Sequence, residues 1–253
     1  MRGELATAFK SGSQKAGNVT EAWGADNFYC PNCSSPKLDW LKPGTKASDY
    51  KCPSCGFWYQ LKSKKSRISN SIRDGAYGAM MEAINEDRAP SFFFLHYDFL
   101  SWNVINLLLV PHFAFPSSAI IKCPPLSPMA RRAGWVGCNF DLRRIPADAR
   151  ISIVKEKQIT PSNKVRAQFK KVKPLKELSV KERGWTLDVL NGVRNLGKKE
   201  FTNTDAYTLA RQLEKLYPDN RHIRDKIRQQ LQVLRDMGLL LHIESGRWRL
   251  PEN

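Results

Sequence analysis

Ala47-Ser-Asp-Tyr-Lys-Cys-Pro-Ser-Cys-Gly-Phe-Trp-Tyr-Gln-Leu-Lys-Ser-Lys-Lys65 is the stretch on which the reading of this chain turns. It holds one Cys-x-x-Cys pair, Cys52 and Cys55, with an aspartate ahead of it and Gln-x-Lys behind it. Two thiolates at that spacing can be presented to one tetrahedral ion by a single tight turn, which a proline inside and a glycine after it both suit. The matching pair lies upstream, Cys30-Pro-Asn-Cys33, with 18 residues between the pairs. Such spacing predicts a closed Cys₄ zinc site. Zinc there is structural, because four protein ligands leave no position for water. Cys123 and Cys138 stand outside the scheme and are expected as small apolar residues of the interior.

Beyond the knuckle, Phe57, Tyr59 and Leu61 alternate with Trp58, Gln60 and Lys62. That predicts a strand with Gln60 and Lys62 pointing the same way. A turn at the knuckle then brings Asp49 beside them. Hard cations such as Mg²⁺ take oxygen ligands and keep several waters. Asp49 offers a charged oxygen and Gln60 a neutral amide oxygen. Lys62 can orient or help deprotonate an attacking water and offset charge that develops on a phosphate. Asp49, Gln60 and Lys62 are therefore the candidate catalytic residues, and Asp49, Gln60 and Leu61 the candidate Mg²⁺ (or Mn²⁺) set. From these residues alone, a surface strand with a lysine cluster is an equal alternative.

The 253 residues, 42% hydrophobic and 10% aromatic, are enough for one large domain or two unequal ones. A net charge of +17 goes beyond what solubility asks and points to a polyanion, nucleic acid before membrane. Met1 to Lys10 lacks an apolar core of signal-peptide length. The greasiest region, 91–110, is interrupted by His96, Asp98, Asn103 and Asn106, so no bilayer span is expected. The chain is expected in the cytoplasm.

A helix is expected to about Trp23, another over 70–85, and strands over 91–95, 104–110 and 151–154. Strands alternating with helices make the first part α/β. Residues 155–183 are basic, proline-punctuated and poor in apolar residues, which reads as a linker. The division is 1–180 and 181–253. After the linker come helices over 185–196, 201–217 and 221–237 and a two-stranded hairpin, the pattern of a winged helix-turn-helix. Ile223, Ile227, Leu231 and Leu234 fall on one face of the third helix. Arg221, Arg224 and Arg228, with Arg235, fall on the other and are candidate DNA contacts.

Ser13-Gln-Lys-Ala16, both Cys-Pro-x-Cys pairs, Leu61-Lys-Ser-Lys-Lys65 and Asp74-Gly-Ala-Tyr77 resemble the Dpn-type restriction endonucleases. So do Ala130-Arg-Arg-Ala-Gly-Trp-Val-Gly-Cys-Asn139, Arg183-Gly-Trp-Thr186 and Lys226-Ile-Arg-Gln-Gln-Leu-Gln-Val-Leu-Arg-Asp236, in order along nearly the whole chain. The resemblance implies a PD-(D/E)XK nuclease core carrying the zinc site, joined to a methyl-sensing winged helix. It further implies cleavage of double-stranded GATC sites whose adenines carry N6-methyl groups, by a protein expected to be monomeric. Asp49 takes the position of the family's metal-binding aspartate and Lys62 that of its catalytic lysine. By the resemblance Trp135 and Trp185 are candidates for its aromatic contacts, each equally readable as a core tryptophan, and Arg131 and Arg132 are expected at phosphate or guanine. The family pattern has Glu where this chain has Gln60, which should weaken metal binding. Glu21, on the first helix, either supplies a second carboxylate or is an ordinary helical glutamate. A zinc-bearing DNA regulator without catalysis, a decayed nuclease acting as a methyl sensor, is the main rival. An RNA-binding zinc protein fits the charge but leaves Asp49 and Gln60-Leu-Lys62 unexplained.

Overall fold

The computed structural model describes residues 1–41 and 48–251. In chain order the elements are α1 (Gly12–Asn27), β1 (Asp39–Trp40), β2 (Tyr50–Lys51), β3 (Trp58–Lys64), β4 (Ser71–Ala76), α2 (Tyr77–Asn85), β5 (Ser91–Tyr97) and β6 (Val104–Val110). There follow β7 (Ile120–Pro125), β8 (Val136–Asp141), β9 (Ile151–Lys155), β10 (Gln158–Ile159), α3 (Ser162–Val172) and α4 (Val180–Asn195). The C-terminal part adds β11 (Glu200–Thr202), α5 (Asn203–Tyr207), α6 (Ala210–Leu216), α7 (Ile223–Asp236), β12 (Leu241–Glu244) and β13 (Arg247–Arg249). These elements form two compact units. One comprises Met1–Ser69, Arg88–His112 and Arg150–Lys170; the other comprises Asn70–Asp87, Phe113–Ala149 and everything described from Lys171 on.

The first unit is built on a sheet of order β1-β2-β3-β5-β6-β9-β10. Its pairings are antiparallel except β3 with β5, which run parallel. The run Phe92-Phe-Phe-Leu95 is buried throughout, as expected of an apolar strand covered on both faces. Phe93 stacks on Phe28 at 4.2 Å and on Tyr59 at 5.3 Å. Each fully buried ring of this kind contributes about 1.5–3 kcal/mol. Helix α1 lies against β3, with Thr20 Oγ1 donating to Ser63 Oγ at 3.0 Å. Gly24 permits that approach, since a Cβ there would stand 2.3 Å from the Tyr50 hydroxyl.

Three expectations are corrected, the third in the C-terminal part. Residues 71–76 form a strand, and the helix begins only at Tyr77. β4 pairs with β8 through Ile72↔Phe140, and Ile72 is buried between exposed Ser71 and Arg73. A two-residue alternation with Gly75 in it favours that pairing over a helix. The supposed linker, in turn, carries α3 and a 3₁₀ turn over Lys173–Glu177. Val165, Phe169, Val172 and Leu175 are all buried there. They form a narrow apolar stripe at helical spacing, hidden in the sequence by the lysines between them.

In the second unit, β4, β8 and β7 form one small sheet, and β11, β13 and β12 another. Helix α4 opens on a capping box in which Ser179 and Glu182 satisfy each other's amides. A second box, Thr202 with Asp205, opens α5. The helix expected over 201–217 is two, α5 and α6. The third is α7, which buries Ile223, Ile227, Leu231 and Leu234 as its spacing predicts. Cys138 is buried, whereas Cys123 is only half-buried.

Candidate active site, metal cluster and nucleic-acid interface

The zinc knuckles close as the spacing requires. The four Sγ atoms of Cys30, Cys33, Cys52 and Cys55 lie within 4.8 Å of one another. Cys30 to Cys55 and Cys33 to Cys52 are both 3.6 Å. A tetrahedral zinc with 2.3 Å bonds would set its sulfurs about 3.8 Å apart, so these thiols fit the ion. Gly56, at φ +74°, turns the second knuckle, and the Cys55 amide faces Cys52 Sγ at 3.5 Å. Arg166 of α3 fastens the first, with Nε 3.1 Å from the Cys30 carbonyl and Nη2 3.2 Å from that of Ser35. Nothing local to Arg166 signals this clamp, since the residue lies in the basic stretch that reads as a linker.

Pairing of β2 with β3 ends at Tyr50↔Tyr59. One step further, the Asp49 amide donates to the Tyr59 carbonyl at 2.9 Å. Its carboxylate Oδ2 accepts the Leu61 amide at 2.7 Å, in place of a neighbouring strand. Asp49 thus lies beside Gln60, Leu61 and Lys62, the grouping expected of the candidate catalytic set. Burial pushes the Asp49 carboxyl above its ordinary value, while the Leu61 amide and the Lys62 charge oppose the shift. Glu21 is also raised, by burial and then by the Asp49 charge. Negative charge is therefore gathered where water is scarce. That is the setting a hard cation relieves, and the oxygens fit one: the carboxylate of Asp49, the amide of Gln60 and the backbone carbonyl of Leu61, the donor leucine has to offer beyond its amide.

The residues expected at DNA are spread over three places in the second unit. Arg131, Arg132 and Trp135 sit in the loop between β7 and β8, which is pinned by backbone bonds between Leu126 and Trp135 (2.9 Å) and Gly134 and Leu126 (3.1 Å). Arg131 and Arg132 are exposed, Trp135 is half-buried, and the Arg132 guanidinium lies 4.5 Å from the Trp135 ring centroid. Gly137 makes room for that indole, since a Cβ there would meet it at 2.8 Å. Arg224 and Arg228 project from the exposed face of α7, and Arg221 lies in the turn that precedes it. Trp185 is elsewhere: only 2% exposed, it stacks on Tyr217 at 3.7 Å. A cavity of about 510 Å³ adjoins it, also lined by Tyr217, Asn220 and Arg221.

A mixed α/β chain with a zinc-type cysteine cluster and a C-terminal helix-turn-helix is a DNA-binding protein of restriction-nuclease type. It belongs to the Dam-replacing family, whose pattern matches residues 1–178, followed by the Dam-replacing HTH domain over residues 181–250. The resemblance to the Dpn-type endonucleases is borne out on that ground. Among the described residues, no helix is long and apolar enough to cross a membrane.

Proposed function

We propose that this protein is a methyl-directed restriction endonuclease that cuts double-stranded DNA at GATC sites bearing N6-methyladenine, by metal-dependent hydrolysis of the phosphodiester. The observation that carries the reading is Asp49, held by the Leu61 amide beside Gln60 and Lys62 in a chain of this family. Residues 1–180 would carry the nuclease and 181–253 the winged helix, in a cytoplasmic monomer. Zinc at the four cysteines would be structural.

Asp49, Gln60 and Leu61 would hold Mg²⁺ or Mn²⁺, which supplies charge that offsets the growing negative charge on the phosphate and acidifies water. Asp49 is fixed by the Leu61 amide and needs no rearrangement to receive the ion. Lys62, two residues beyond Gln60 on β3, orients the attacking water and neutralises the phosphate. Gln60 brings no charge, so a raised requirement for Mg²⁺ or Mn²⁺ follows. On the DNA side, N6-methyladenine shows its methyl in the major groove. Trp135 is the half-exposed aromatic wall offered to it, and Arg131 and Arg132 lie beside it for phosphate or guanine. Trp185, buried and stacked on Tyr217, is assigned to packing of the helix-turn-helix rather than to the methyl. Arg221, Arg224 and Arg228 supply the charge for the backbone.

One methyl in a pocket is worth only about 10- to 200-fold in discrimination, so strict dependence needs more than one reading of the site. Gln60 favours one second reading, a methyl-DNA sensor whose cleavage is weak or lost. Digestion of one plasmid, prepared with and without GATC adenine methylation, in Mg²⁺ and then Mn²⁺, separates the two. Cutting of the methylated preparation alone is expected. Cutting of both would remove the methyl-directed part. Selective binding without cutting would leave the sensor.

A further inference from the structure

The hairpin joining β5 to β6 ends in a tip that water disfavours. Leu100 is 89% exposed there and Phe99 beside it 51%. Turns between strands are ordinarily built of Gly, Pro, Asn, Asp and Ser, since nothing covers their side chains. This one is apolar, and it is also held stiff. Asp98 Oδ1 accepts the amides of Leu100 and Ser101, both at 2.8 Å, and the Asp98 amide donates to the Asn103 carbonyl at 2.8 Å. Trp102 closes the loop at φ +55°, a left-handed conformation that a bulky residue keeps only under constraint. Its ring stacks on that of Tyr97 at 5.2 Å, and its carbonyl accepts the Met1 amino group at 3.0 Å. Gly3 also lies against the indole, where a Cβ would stand 2.6 Å from Cδ1. The two apolar side chains are thus held outward on a fixed backbone.

The surroundings of the tip are basic. The Lys65 ammonium lies 5.2 Å from the Phe99 ring centroid, and Lys64 stands level with His96, three residues before Phe99. Burial, then the charges of Lys64 and Arg67, hold the His96 imidazole below its ordinary value. Asp98, the acid of the turn, is spent on the amides it accepts. A second copy of the chain would bring like charge against this one. Two side chains also fall far short of the roughly 800 Å² that each partner gives to a stable protein interface. A polyanion meets the lysines, and stacked base pairs meet the apolar side chains.

The tip is also well placed for DNA at the candidate active site. β3 and β5 run parallel, with Lys62 level with Phe94, so the hairpin extends past the end of the sheet toward which β3 runs. Phe94 to Phe99 is five steps, about 16 Å at the rise of a parallel strand. At about 3.4 Å per base pair, a duplex seated on Lys62 reaches the tip within roughly five base pairs. Resting on the reading of this chain as a nuclease of duplex DNA, we infer that Phe99 and Leu100 form a wedge that enters the duplex beside the cut site and partly unstacks one base step. Leu100 is the inserted side chain, and Phe99 fills the groove behind it with Lys65 turned to phosphate. Pyrimidine–purine steps open most easily, so the sequence flanking the methylated site should influence cutting.

The test uses the zinc-loaded full chain and a methylated GATC duplex, with Mg²⁺ and Mn²⁺ withheld and 2-aminopurine placed at successive flanking positions. Unstacking brightens that base. The parent is expected to brighten one flanking step, Leu100→Ser to lose the signal and Leu100→Met to keep it. With metal added, Leu100→Ser is expected to cut at least about ten-fold more slowly. Its melting temperature should match the parent's, because Leu100 is exposed. If the methylated duplex is bound and cut but no flanking position brightens, the wedge is overturned and the nuclease stands. The same follows if Leu100→Ser brightens the base and cuts as the parent does. A parent that sediments as a dimer, with Leu100→Ser a monomer, would make the tip a contact between copies and overturn the wedge. A parent that neither binds nor cuts the duplex would overturn the nuclease reading, and the wedge with it.

Discussion

Asp49 in the first unit and Asp188 in the second are both largely withdrawn from water, and burial raises both. Their surroundings differ. Asp188 on α4 accepts the Ser118 hydroxyl at 2.6 Å on one oxygen and the Tyr217 hydroxyl at 2.7 Å on the other. The Asp148 side chain, also in the second unit and out of water, takes a two-pronged contact from Arg194, with Lys171 at 3.8 Å. Asp49 has one amide, with the charge of Lys62 drawing its carboxyl down and that of Asp49 itself raising neighbouring Glu21. Burial is thus common to both and completion is not. Where every oxygen has its donor, the carboxylate organises the fold. Where a carboxylate has a single amide donor, as at Asp49, the proposed metal ion would complete the set.

The largest expected effect follows directly. Asp49→Asn keeps the shape and removes the charge, and cutting should fall by about 10⁴-fold or more, roughly 5 kcal/mol at 1.36 kcal/mol per decade. Binding to methylated duplex should survive, because the DNA-facing residues belong to the other unit. Loss of binding along with cutting would place Asp49 on the structural side of the comparison, with Asp188.

The tryptophans divide in the same way. Trp185, buried and stacked on Tyr217, should cost about 3–5 kcal/mol of stability on truncation to alanine, seen as a lower melting temperature. Its losses for methylated and unmethylated duplex should be equal. Trp135, half-exposed under Arg132, should cost little stability; Trp135→Ala should instead reduce the preference for methylated duplex about 10- to 200-fold. An unchanged preference would remove Trp135 from methyl reading.

What the sequence made legible follows from the range of the signals. Cysteine spacing is local, and so is the alternation that places Gln60 and Lys62 on β3, so both are readable from a dozen residues. The apolar face of α7 repeats over four turns and survives any context. By contrast, β4 exists because β8 is there to pair with it, and no window around Ile72 contains Phe140. Helix α3 is hidden because its buried Val165, Phe169 and Val172 are diluted by lysines, although their spacing is helical. Trp185 illustrates a different limit: a tryptophan in a basic segment looks the same whether it faces DNA or Tyr217, and only the partner across the helices decides. Glu21 was visible as a residue, but its nearness to Asp49 depends on how α1 is seated on β3.

The smallest expected effect concerns Asp188 and the pH dependence of stability. Its folded-state pKa is raised, first by burial, with the Ser118 and Tyr217 hydroxyls drawing it partly back. The folded chain therefore binds this proton more tightly than the unfolded chain. Stability from this group is fully present below the ordinary value of 3.8 and is lost as pH rises from there through the raised folded value. The slope cannot exceed one proton, about 1.4 kcal/mol per pH unit. Other carboxylates pull the opposite way: Asp205, drawn down to about 2 by the Lys198 side chain and the Thr202 amide and hydroxyl, loses its contribution as pH falls. The observable is accordingly a difference, denaturant-derived stability of the parent minus that of Asp188→Asn across pH 3–8. That difference should fall with pH and then level off. If it is flat, the folded and unfolded chains bind this proton equally, and hydrogen bonding from the two hydroxyls balances the burial of Asp188. The contrast with Asp49 would then be sharper, since the more deeply buried Asp188 would carry no electrostatic cost while the less buried Asp49 would, on the proposed reading, still be short of a cation.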